Sequence, residues 1–113
     1  MTVTLYHNPK CSTSRKALEL LQEKGIQTEV VEYLKTGWTA DVLDRLAQST
    51  GKGFAGLLRM REEEAKALVA DGASDDAIRA AMIANPVLVE RPIIETPKGA
   101  RLGRPLEAIL EVL

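Results

Sequence analysis

Val3-Thr4-Leu5-Tyr6-His7-Asn8-Pro9-Lys10-Cys11-Ser12-Thr13-Ser14-Arg15 changes its periodicity halfway along. Val3 to Tyr6 carries the β-branched and aromatic residues of a short strand, and Asn8-Pro9 breaks it. From Ser14 to Lys24, Ala17, Leu18 and Leu21 recur at helical spacing, with Gly25 placed just past the C-cap. Thr28 to Leu34 then resumes β character. Strand, loop, helix and strand in so short a span make a β-α-β unit, the opening of an α/β fold.

Cys11, the only cysteine, falls where the strand pattern gives way to the helix. Unpaired N–H groups and the positive end of the dipole at a helix N-terminus favour the thiolate. An ordinary thiol is only about 3% ionised at neutral pH, so a lowered pKa makes a nucleophile of it. Ser12, Thr13 and Ser14 offer hydroxyls, and Arg15 and a protonated His7 would add positive charge, so His7, Ser14 and Arg15 are the candidate supports of the thiolate and the loop outlines an anion nest. The competing reading of Ser14 is a plain helix N-cap. Cys11 and Ser14 stand at C-x-x-S spacing, and serine cannot resolve a mixed disulfide, so any redox cycle must borrow a thiol from another molecule. Arg15 lies four positions after Cys11, too close for a tyrosine-phosphatase loop, and no Cys/His cluster suggests a metal.

With 113 residues, 45% of them hydrophobic, the chain can bury one core, and a single domain is expected. Fifteen Lys and Arg against sixteen Asp and Glu, with no basic block, argue against nucleic acid. The absence of a signal-like or membrane-length apolar stretch and the lone cysteine predict a cytoplasmic protein.

The middle of the chain reads as helical. Thr39 caps a helix bearing Val42, Leu43, Leu46 and Ala47; Ala65, Leu68 and Val69 follow an acidic run; Ser74 caps a third that Asn85-Pro86 ends. Val87 to Val89, Pro92 to Glu95 and Ala100 to Leu102 then read as strands, the last two joined by a turn at Pro97-Lys98-Gly99. Pro105 suits the first position of a closing helix carrying Ala108, Ile109, Leu110 and Leu113. The order β-α-β, helices, β-β-α, with a nucleophile after the first strand, resembles the thioredoxin-like fold: a mixed β-sheet flanked by helices. The core is expected over about 1–35 and 86–113, and an all-helical insertion over about 36–85.

Four segments sharpen that resemblance: Tyr6 to Arg15, Leu57-Leu58-Arg59, Asn85 to Ile94 with its Arg91-Pro92-Ile93, and Arg101-Leu102-Gly103-Arg104-Pro105. Together they resemble the glutaredoxin-coupled arsenate reductases, the ArsC-like family, over nearly the whole chain. The resemblance implies that Cys11 is the catalytic nucleophile, that Arg59, Arg91 and Arg104 bind the substrate oxyanion, and that Pro92 is a cis-proline beside the site. It implies arsenate as substrate, glutathione as co-substrate, glutaredoxin as partner, no bound cofactor, and a monomer. Guanidinium groups suit this role because they keep their charge and bind tetrahedral oxyanions through two hydrogen bonds at once. A proline after Arg91 and after Arg104 also restricts each arginine's backbone to extended conformations.

Some family members carry a second cysteine where this chain has Gly103. Two other activities fit the same superfamily. One is a glutathione-dependent thiol reductase without physiological arsenate activity. The other is an Spx-like regulator that binds RNA polymerase, whose C-x-x-C switch is broken here by Ser14.

Overall fold

A computed structural model describes residues 2–113. The chain forms two units, one from residues up to 36 together with 91–113, the other from 37–90.

The first unit is built on a four-stranded sheet, β1 (Val3–His7), β2 (Thr28–Glu32), β3 (Ile93–Thr96) and β4 (Gly99–Leu102), in the order β2-β1-β3-β4. β1 and β2 run parallel, joined by helix α1 (Ser12–Glu23); β3 pairs antiparallel with both β1 and β4. This is the mixed, thioredoxin-like sheet that the sequence predicts. Strand alternation sends Val3 and Leu5 to one face, where they meet Ala17 and Leu21 of α1, Ile94 of β3, and Ile109 and Val112 from the C-terminal segment. Gly25, at φ +69°, follows the C-cap Lys24 in the left-handed conformation that ends a helix without a Cβ clash.

Two expectations in this unit need correction. β2 stops at Glu32 instead of continuing to Leu34, and Tyr33–Thr36 form a helical turn, α2. Glu32 pairs with His7, the last residue of β1, so beyond it β2 has no ladder partner there. The closing element, Leu106–Val112, is a 3-10 helix with Pro105 as its N-cap, not an α-helix with proline at its first position. Its apolar residues explain why. Leu106, Ile109 and Val112 recur every third residue, the period that stacks side chains on one face of a 3-10 helix, while Leu110 is 42% exposed. Thr96 fastens this segment to β3 by donating a 2.6 Å hydrogen bond to the Val112 carbonyl.

The second unit is helical: α3 (Ala40–Ser49), α4 (Gly53–Leu57), α5 (Glu63–Ala70) and α6 (Asp75–Ala84). Thr39 and Ser74 cap α3 and α6, accepting the N–H of Val42 and of Ala77. Arg79 of α6 reaches Asp44 of α3 at 2.9 Å, and Trp38 donates to the Pro86 carbonyl at 3.2 Å. The strand expected at Val87–Val89 is instead a 3-10 turn over Pro86–Leu88 followed by a single antiparallel bridge between Val89 and Leu58. Leu88 and Val89 are buried by packing, not by a ladder of paired strands. Among the described residues, no helix is long and apolar enough to cross a membrane.

The 3-10 stripe predicts an asymmetry between neighbours. Ile109→Ala should cost about 2–5 kcal/mol, whereas Leu110→Ala should cost less than about 1 kcal/mol, read from urea denaturation midpoints. Equal losses at the two positions would contradict the three-residue period.

Candidate active site

The end of β1 and the start of α1 are tied together by polar residues at positions that are apolar deeper in the core. Ser14, Ala17 and Leu21 form the buried stripe of α1, so the stripe ends in a hydroxyl at the N-terminus of the helix. His7, two residues beyond Leu5, meets that hydroxyl: His7 Nδ1 and Ser14 Oγ share a 2.6 Å hydrogen bond, and Ser14 Oγ also accepts the Asn8 N–H at 3.0 Å. Asn8 shapes the turn between them. Its side-chain carbonyl accepts the Lys10 N–H at 3.0 Å, and its backbone carbonyl accepts the Cys11 N–H at 3.0 Å.

Cys11 is the N-cap of α1, with an extended backbone, so it is the N-cap in place of Ser14. Its sulfur stands where a serine or aspartate oxygen would accept the first N–H groups of the helix. Burial raises the Cys11 pKa, but the backbone N–H of Ser14, a hydrogen bond from Arg91, the backbone N–H of Thr13 and the charge of Arg91 outweigh it, and the net shift is downward. Arg104 adds a second guanidinium, its Nη2 at 3.5 Å from Cys11 Sγ, and its Nε donates to the Arg91 carbonyl at 2.8 Å. Arg91 is itself buried. The Arg91-Pro92 and Arg104-Pro105 peptides are both cis.

His7 does not bring the positive charge expected of it. Burial depresses its pKa most, the charge of Arg15 depresses it further, and Glu32 and Ser14 only partly oppose them, so His7 is neutral at neutral pH. Arg15 lies outside the sulfur's partners; it donates to the Pro9 carbonyl at 2.9 Å and braces the loop.

Arg59 belongs to the helical unit. Its N–H donates to the Leu88 carbonyl and the Glu90 N–H to the Leu57 carbonyl, both at 2.7 Å, on either side of the Leu58–Val89 bridge. This short ladder sets Arg59 beside Glu90, whose carboxylate it meets at 3.0 Å, with Glu62 at 3.8 Å. Sequence reasoning did not single out Glu90, Asn8 or the packing at Gly103. Asn before Pro in a strand-to-helix loop is a readable turn signal, but the Glu90 pairing arises from the bridge alone.

Gly103 has a geometric reason to lack a side chain. Its N–H donates to the Pro92 carbonyl at 2.8 Å, and a Cβ there would lie 2.8 Å from Pro92 Cγ and 3.2 Å from Ile109 Cγ2. A cysteine at this position would have to displace the Pro92 ring.

The chain has relatives. The profile of the ArsC family matches residues 6–112. An arsenate reductase of Escherichia coli K12 is 41% identical over 113 residues, spanning 98% of this chain and 80% of the relative. A protein of the same organism described as uncharacterized, YfgD, is 45% identical over 114 residues, spanning 98% of this chain and 96% of that one. Among solved structures, an arsenate reductase from Vibrio cholerae has a TM-score of 0.92 at 45% identity, covering 100% of this chain and 98% of the other. A family profile that matches nearly the whole of a chain presenting a lone thiol at a helix start beside two arginines makes this protein a member of the ArsC family.

Proposed function

We propose that this protein is an arsenate reductase that works through Cys11 with glutathione and glutaredoxin as electron donors, in the cytoplasm and as a monomer in one ArsC-like domain. The observation that carries the reading is the Cys11 sulfur held between N–H donors and guanidinium groups, with Arg104 at 3.5 Å. The relatives named arsenate reductase support the choice of oxyanion.

In this reaction the Cys11 thiolate attacks arsenic and one oxygen leaves as water. Glutathione displaces a second oxygen, again as water, leaving arsenic bonded to both sulfurs. A glutaredoxin thiol then attacks the glutathione sulfur. The sulfur–sulfur bond that forms frees the electron pair of the glutathione sulfur–arsenic bond, which reduces arsenic from the +5 to the +3 state. Water releases arsenite and returns the Cys11 thiol. Arg91 and Arg104 hold the oxyanion and offset repulsion between two negative reactants. Arg59 is assigned as the third oxyanion ligand from the family pattern. His7 and Ser14 act as positioning residues, since their hydrogen bond fixes the start of α1 against the end of β1.

A second reading is favoured by the pairing of Arg59 with Glu90 and Glu62, which diminishes the positive charge available to a dianion. On that reading Cys11 serves a glutathione-dependent thiol reductase.

Cys11→Ser should abolish arsenite production with the far-ultraviolet circular dichroism unchanged; retained turnover would overturn the assignment. Arg91→Ala should lower kcat/KM for arsenate roughly 100-fold, and Arg59→Ala should lower it as well, while turnover of a glutathionylated peptide falls far less. The reverse pattern favours the thiol-reductase reading. Because the Cys11 pKa is lowered, its thiolate persists below the pH at which a free thiol protonates. The iodoacetamide rate plotted against pH should therefore have its midpoint below about 8.5, and Arg91→Ala should move that midpoint upward.

A further inference from the structure

We propose that the groove between α1 and the residues after β4, which shares Arg104 with Cys11, is the seat of the small thiol co-substrate, and that it recognises the zwitterionic α-amino acid end of a glutathione-type thiol. The inference rests on the reading of Cys11 as a nucleophile that a small thiol must meet, and it assigns the place and chemistry of that meeting.

The groove is an open cavity of about 390 Å³, lined by Thr13 and Lys16 on one side and by Gly103, Arg104, Leu106 and Glu107 on the other. That volume lies within the roughly 300–1,000 Å³ of small-molecule sites. One end is fixed by chemistry already described. Arg104 lines the cavity and stands 3.5 Å from Cys11 Sγ, and Thr13 lines it while its backbone N–H favours the thiolate. A ligand seated in this groove therefore lies against two of the residues that hold the sulfur.

The remaining lining defines the ligand. Thr13 and Lys16 are three residues apart on α1, hence on one face, which sets Lys16 one turn further from the sulfur. Glu107 stands across from them, in the first turn of the 3-10 segment. Neither Lys16 nor Glu107 is in an ion pair among the described residues, although their neighbours Arg101 and Glu111 are paired at 3.0 Å. One cation and one carboxylate, exposed on opposite walls, complement a group that carries both charges. The γ-glutamyl end of glutathione is such a group, with a carboxylate for Lys16 and an ammonium for Glu107, several bonds from its thiol. Half-buried Leu106 supplies the apolar contact between the two ends.

The test uses disulfide exchange at the single cysteine. The Cys11 thiolate attacks one sulfur of glutathione disulfide, forming the Cys11–glutathione mixed disulfide and expelling glutathione thiolate, and mass spectrometry follows the adduct. The same rate is measured with bis(2-hydroxyethyl) disulfide, which is uncharged, and the ratio of the two rates cancels any change in the reactivity of Cys11. Reversing one exposed charge removes an attraction and installs a repulsion, so Lys16→Glu should lower the ratio roughly tenfold. Glu107→Lys should lower it also, although it makes the surface more positive towards a net anionic ligand. Lys24→Glu, at the opposite end of α1, should leave the ratio within about twofold of wild type. An unchanged ratio in Lys16→Glu, a rise in Glu107→Lys, or an equal fall in Lys24→Glu would overturn the proposal. Arsenate takes no part in this measurement, so the groove assignment can fail while arsenate reduction stands, and the reverse.

Discussion

The hydrogen bond between His7 Nδ1 and Ser14 Oγ joins the last residue of β1 to the first turn of α1 at 2.6 Å. Everything chemical in the sheet unit follows from that junction. Strand alternation carries the face of Val3 and Leu5 on to His7, and helical spacing carries the stripe of Leu21 and Ala17 on to Ser14. Two periodicities that build the apolar core therefore meet in a polar pair at its edge. The intervening loop, from Asn8 to Cys11, is closed by the bonds of Asn8 to Lys10 and Cys11, so the thiol is held at the N-cap with little freedom to leave it. Burial keeps His7 neutral, which lets it serve this junction without adding a second charge that would compete with the arginines.

The state of the sulfur is a contest between burial and donors. Removing a thiolate from water raises its pKa, and a half-buried sulfur in an apolar loop would be inert. Here the donors win because they come from two separate origins, the helix start and Arg91, while Arg104 contacts the same sulfur at 3.5 Å. The arginines are coupled, since the carbonyl of Arg91 accepts from Arg104 Nε and so aims the second guanidinium. Loss of either would disturb both.

The sequence exposed the sheet and the nucleophile more readily than it did their surroundings. Val3 to Tyr6 and Ala17 to Leu21 have the periodicity of their elements, and the helix caps at Thr39 and Ser74 are oxygen-bearing residues in the expected place. The short apolar run Val87 to Val89 reads as a strand, but three residues cannot separate strand from turn, and Trp38, distant in sequence, binds the Pro86 carbonyl just before it. α4 contains Gly53 and Gly56, poor helix formers, and owes its form to packing against α3 and α6. The period of three in Leu106, Ile109 and Val112 was present in the sequence and is a 3-10 signal, but a proline followed by apolar residues suggests an α-helix first. At the site, Cys11 and the arginines stand out by residue type and context. The roles of His7, Ser14 and Glu90 do not, because they depend on hydrogen bonds and ion pairs that only the folded backbone creates.

Shape alone cannot make such a site selective for arsenate. Phosphate is also a tetrahedral oxyanion, and guanidinium groups arranged for one will accept the other. The difference lies in what the thiolate can do next. Attack at arsenic leads to a sulfur-bonded adduct that a further thiol can reduce, whereas phosphorus in phosphate is not readily reduced by thiols, so bound phosphate departs unchanged and acts only as a competitor. A single cysteine sharpens this distinction. With no neighbouring thiol to close a disulfide, Cys11 can complete a cycle only by handing its adduct to another sulfur, and an oxyanion that cannot accept electrons never reaches that step.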